Sequence, residues 1–160
     1  MSSRTTAPRA GVTVPATIVR PLEAFKKTVL RPTSQGAAVR SLQSALRVRV
    51  TGRMDAPTRA AVARVQKQWK LPATGVVDLR TWNRVELTRW PHLGYTGTVM
   101  RSGSTGPGVV AVQKALAVTA DGQFGPRTAT AVRTIQNRYG LPATGVVDAA
   151  TWRAISHAVR

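Results

Sequence analysis

The string LPATGVVD occupies residues 71–78 and returns unchanged at 141–148, each time followed two residues later by Thr-Trp (Thr81-Trp82 and Thr151-Trp152). The identity extends outward at a constant offset of 70, so that residues 28–85 align with 98–155 without a gap. Gly36/Gly106, Val39/Val109, Gln43/Gln113, Leu46/Leu116, Gly52/Gly122, Thr58/Thr128 and Gln66/Gln136 are among the identical pairs. A period this long exceeds that of the common solenoid repeats. The chain is therefore read as a tandem duplication of a small domain.

Each copy reads as three helices. The first follows Gly36 or Gly106 and sets Val39, Leu42 and Leu46, or Val109, Val112 and Leu116, at i, i+3 and i+7 on one apolar face. The second opens near Pro57 or Pro126, where a missing backbone donor costs nothing. Val62, Val65 and Trp69, or Val132, Ile135 and Tyr139, then continue the apolar stripe. Leu-Pro-Ala-Thr-Gly breaks the chain, and Asp78 or Asp148 is placed to cap a third helix that buries Trp82 and Val85, or Trp152 and Ile155. The expected architecture is all-α: a basic arm over 1–27, repeats at 28–85 and 98–155, a linker at 86–97 and a tail at 156–160.

The charge narrows the partners. Twenty-four Lys+Arg oppose six Asp+Glu, a net +18, which favours anionic polymers over cations or basic proteins. The first repeat alone holds eleven cations against two carboxylates, whereas the second holds six against two. There is no cysteine, no apolar run long enough for a membrane span, and no apolar h-region near the N-terminus of the kind a signal peptide carries.

The order Gly-x-x-Val-x-x-(Leu/Val)-Gln, then Asp-Gly-x-Phe-Gly-x-x-Thr, then Leu-Pro-x-Thr-Gly-x-Val-Asp-x-x-Thr-Trp closely resembles the type 1 peptidoglycan-binding domain. The second copy follows it from Gly106 to Trp152. The first follows it from Gly36 to Trp82 but carries Thr51 for the family's Asp and Asp55 for its second Gly, which puts loop-mediated binding by this copy in question. The resemblance implies a module that binds bacterial wall glycan without catalysis, cofactor or metal.

The residues agree on the absence of a catalytic or metal constellation. The six carboxylates are scattered, and His92 and His157 lack ligand spacing and read as surface or packing residues. LPATG also spells a sortase recognition sequence, but here it occurs twice inside repeats and reads as a turn.

Candidate ligand-binding residues are Gln43, Gln66, Gln113 and Gln136, which either brace helix to helix or line a groove. Loop residues Asp121, Gln123 and Thr128 join them, as do Trp90 and Tyr95, whose rings could pack between the copies or face a sugar. Arg40, Arg47, Arg49, Arg53, Arg59 and Arg64 are candidates for electrostatic attachment to anionic wall polymers.

The leading expectation is a tandem wall-binding protein of the cell wall or exterior. A second is a structural adaptor in a phage particle, injection machine or lysis cassette, with residues 1–27 docking on a neighbour. Nucleic-acid binding is a third, supported by charge alone, since no helix-turn-helix or ribonucleoprotein pattern is present.

Overall fold

The computed structural model describes residues 16–159. Among these, the chain forms six α-helices and two short 3₁₀ turns, with isolated bridges in place of strands. It divides into an N-terminal unit, Arg20–Pro91, and a C-terminal unit made of residues 16–19 and 92–159.

The N-terminal unit holds α1 (Ala37–Leu46), α2 (Ala56–Gln68) and α3 (Leu79–Arg89), which pack pairwise on one another. Their apolar stripes converge: Val39, Leu42, Val62, Val77 and Trp82 are excluded from solvent. The indole of Trp82 satisfies its one donor on the Thr28 carbonyl at 2.7 Å, so its burial leaves no polar debt there. An antiparallel bridge between Leu30 and Val77 clips the incoming chain over the turn before α3, with N–H···O distances of 3.0 and 2.9 Å.

The C-terminal unit repeats the plan in α4 (Pro107–Ala115), α5 (Pro126–Arg138) and α6 (Ala149–Ala158). Its core joins Met100, Val112, Phe124, Val132, Val147, Trp152 and Ile155. Trp152 donates to the Thr98 carbonyl at 2.7 Å, and Met100 bridges Val147 as Leu30 bridges Val77.

Helix starts fall where capping chemistry puts them. Asp78 and Asp148 accept from the Thr81 and Thr151 amides at 2.9 and 2.8 Å. Pro57 and Pro126 lie in first helical turns. Three details differ from the pattern. Trp69, read with the apolar stripe of α2, is only half-buried and stands at that helix's C-cap. Leu46 and Leu116 are half-buried rather than core, because α1 ends at Leu46, with Arg47 turned to φ 57°, and Leu116 is itself the residue that caps α4. Helices α3 and α6 also run past the last aligned residues, 85 and 155, to Arg89 and Ala158. Nothing in α3 stops it before Pro91, and the Trp90 amide still bonds the Glu86 carbonyl at 2.8 Å.

The residues read as an arm are described only from 16 onward, and 20–27 are built into the N-terminal unit. A 3₁₀ turn at Glu23–Phe25 brings Lys26 inward, where its ammonium donates at 2.8 Å both to Glu23 and to the buried carboxylate of Glu86. Arg20 adds a contact to the same Glu86 oxygen at 3.2 Å. In the C-terminal unit the position equivalent to Glu86 is Ser156, whose hydroxyl accepts from the Val19 amide at 2.9 Å.

Candidate functional site

The four glutamines singled out by the repeat are all buried, each exposed by 2% or less. Gln43, on α1, reaches into the loop before α2. Its amide nitrogen donates to the Thr51 hydroxyl, the Arg53 carbonyl and the Thr58 hydroxyl, each at 2.9 Å. Its oxygen accepts from the Thr51 and Gly52 amides at 3.0 and 2.8 Å. Gln113 repeats this on the Asp121 carboxylate, the Gln123 carbonyl, the Thr128 hydroxyl and the Gly122 amide.

Gln66 and Gln136 then do the same one helix further on. Each donates to a loop threonine (Thr74 or Thr144), a valine carbonyl (Val76 or Val146) and a helix-start threonine (Thr81 or Thr151), and accepts from Gly75 or Gly145. The sequence separations between Gln and partner are identical in all four cases. Within each 70-residue copy there is accordingly a shorter period of 23 residues, Gln43 to Gln66 and Gln113 to Gln136. The signal, Gln then Thr or Asp-Gly eight residues on and Thr fifteen on, is present in the sequence. The stronger 70-residue identity overlies it. Glycine is required at the loop position because all four have φ near 73°, the left-handed region, while their amides face the glutamine oxygen.

This geometry explains the departures in the first copy. Thr51 takes the place of Asp121 as acceptor from the glutamine, and Asp55 takes the place of Gly125 as a helix cap. Asp55 accepts from the Thr58 amide at 3.1 Å, from the Thr58 hydroxyl, and from Thr51 Oγ1 at 2.8 Å. The carboxylate has moved four residues along a loop whose brace is unchanged. The result, Thr-Gly-Arg-Met-Asp, has the same form as Thr-Gly-Val-Val-Asp before α3.

Both loop carboxyls are held below the usual range. Asp55 is lowered first by the Thr58 hydroxyl and then by Thr51; Asp121 is lowered first by the Gln123 amide and then by Gln113. Each of the six carboxylates accepts a hydrogen bond or ion pair from its own unit. Among the described residues no three His, Cys, Asp or Glu side chains cluster as metal ligands would.

The remaining candidates are dispersed. Gln123 and Asp121 are exposed in the loop before α5, while Thr128 is buried beneath it. Trp90 is buried, with its indole N–H unpartnered, and Tyr95 is half-buried against Gly108. Arg40 lies across Gly52, where an added Cβ would meet its guanidinium at 3.0 Å. Arg59 donates to the Met54 carbonyl at 2.8 Å. Arg47, Arg49, Arg53 and Arg64 are exposed. His157 receives or gives a hydrogen bond with the Tyr139 hydroxyl at 3.1 Å.

The family model described as "Putative peptidoglycan binding domain" matches twice, over residues 35–85 and 105–155, spanning both sets of braced loops. The chain belongs to the peptidoglycan binding domain family. Curated proteins and solved structures give no match. Each matched stretch begins at the bridge residue ahead of the first helix, Gln35 or Thr105, and ends on the core residue Val85 or Ile155. The altered loop of the first peptidoglycan binding domain lies within its match.

Proposed function

We propose that the chain is a non-catalytic wall-binding protein that holds bacterial peptidoglycan through two tandem modules, with a cationic first module adding attraction to anionic wall polymers. The observation that carries this reading is the presence of two family domains in one chain, each with both of its loops braced in full. On a repeating polymer, a second module makes the second contact intramolecular, which raises avidity without new chemistry.

The glutamines act in this reading as braces that hold the loops, and the exposed loop residues meet the ligand. The carboxylates are engaged in caps, loop bonds and ion pairs, which favours binding over acid/base work. Surface arginines in excess over carboxylates supply a long-range, salt-screened pull. Wall or extracellular placement follows from the ligand; no helix among the described residues is long and apolar enough to cross a membrane.

Co-sedimentation with purified sacculi, with and without their anionic polymers and across a salt series, tests the proposal. The chain should pellet with stripped sacculi and pellet more, in a salt-sensitive way, with intact ones. Failure to pellet with either, together with tight salt-dependent binding of duplex DNA, overturns it.

A further inference from the structure

The two units differ at one place where their sequences otherwise keep the same turn. In both, Ser34 or Ser104 closes a turn onto Arg31 or Arg101 and accepts from the Met54 or Phe124 amide. In the C-terminal unit Gly103, at φ 92°, also turns its own amide onto the Phe124 carbonyl at 3.1 Å, tying the two loops together. The N-terminal unit has Thr33 there. A β-branched residue is strained in that conformation, Thr33 does not adopt it, and the second tie is missing. The Met54 carbonyl is taken instead by Arg59, whose counterpart is Ala129.

Beside these loops lies an open groove of about 420 Å³ lined by Thr33, Ser34, Gln35, Arg53 and Asp55. That volume lies in the range of roughly 300–1,000 Å³ typical of small-ligand sites. Arg53 is exposed and takes part in none of the ion pairs among the described residues. Its planar fork suits a carboxylate or phosphate. Asp55 shares the groove with its carboxylate anchored by Thr51 and Thr58, so a bare dianion would meet a fixed negative charge beside the arginine. A ligand carrying both signs satisfies both walls.

We infer that this groove of the N-terminal unit binds an amino-acid zwitterion, a carboxylate and an ammonium on one carbon, as presented by the diamino-acid residue of wall stem peptides. The inference rests on the wall-binding reading for its ligand source. The carboxylate pairs with Arg53 and the ammonium with Asp55, while Gln35 and Thr33 offer neutral hydrogen bonds. The C-terminal unit, with Gln123 and Gly125 in place of Arg53 and Asp55, lacks both charges at these positions.

The test is an amide NMR titration of the full chain with three probes: a stem tripeptide ending in meso-diaminopimelate, the same tripeptide ending in lysine, and inorganic phosphate. Lysine differs from diaminopimelate only by the distal carboxylate. The diaminopimelate peptide should shift Thr33, Ser34, Gln35 and Arg53 and leave Gly103, Thr105 and Gln123 in place. The lysine peptide, and the diaminopimelate peptide on Arg53→Gln, should bind about ten-fold or more weakly. Equal response to both peptides, shifts in both units, no shift at all, or displacement of the peptide by equimolar phosphate overturns the inference. Sacculus pelleting is measured alongside: wild type that pellets but ignores the peptide loses this site alone, and wild type that fails to pellet loses the wall reading itself.

Discussion

Each buried glutamine shares its two N–H groups among three acceptors and takes at least one loop amide, all from a single side chain. Removing it strands several polar groups together, so Gln113→Ala or Gln136→Ala should cost about 3 kcal/mol, read from the shift of a urea denaturation midpoint at unchanged slope. A loss under about 0.5 kcal/mol would mean that water replaces the brace at no cost. The buried ion pair makes a second residue-level case. Lys26→Met leaves the buried Glu86 only the longer, half-exposed Arg20 contact, with Oε1 already lacking a partner, and should destabilise by about 2 kcal/mol; adding Glu86→Leu should restore most of it. The sequence showed the glutamines as repeated but left two roles open for them, because a side chain's role depends on which atoms it reaches. Lys26 and Glu86 lie sixty residues apart with no pattern linking them.

The elements were far more legible. Apolar spacing, proline at helix starts and aspartate caps are local signals, and the helices lie where those signals put them. What local signals left out was the exchange of Thr51 and Asp55 for Asp121 and Gly125 as a compensated pair. A double substitution, Thr51→Asp with Asp55→Gly, transplants the C-terminal loop and should leave stability within about 1 kcal/mol of wild type. Asp55→Gly alone loses the cap and the Thr51 contact without regaining a carboxylate at 51, which in the C-terminal loop accepts from Gln113 and the Gln123 amide, and should cost about 1 kcal/mol more than the pair. Thermal melts of the double variant and of both single variants, Thr51→Asp and Asp55→Gly, decide it; an additive outcome would deny the coupling. The groove was likewise hidden, since it is lined from two loops twenty residues apart, 32–35 and 53–55, that no local pattern brings together.

At the scale of the molecule, acid should act in two stages. Burial pushes the His92 imidazole down to about 4, so the folded chain resists a proton that the unfolded chain accepts near 6.5. The unfolded state binds more protons between those values, and stability therefore falls as pH drops from about 6.5 to 4, by as much as about 3 kcal/mol. The capping aspartates, whose carboxyls are lowered, add their loss only below about pH 4. His92→Phe should flatten the first stage in a pH series of denaturation midpoints and leave the second; an unchanged slope would place the first stage elsewhere. The four glutamine braces bear on a further property. The amides of Gly52, Gly75, Gly122 and Gly145 sit in turns, where hydrogens ordinarily trade with solvent within moments, yet each is held by an oxygen that leaves only when a buried carboxamide is extracted from its unit. In deuterated water these turn positions should keep their protium as long as the helix interiors do, marking the opening of each unit as one event rather than the fraying of its loops.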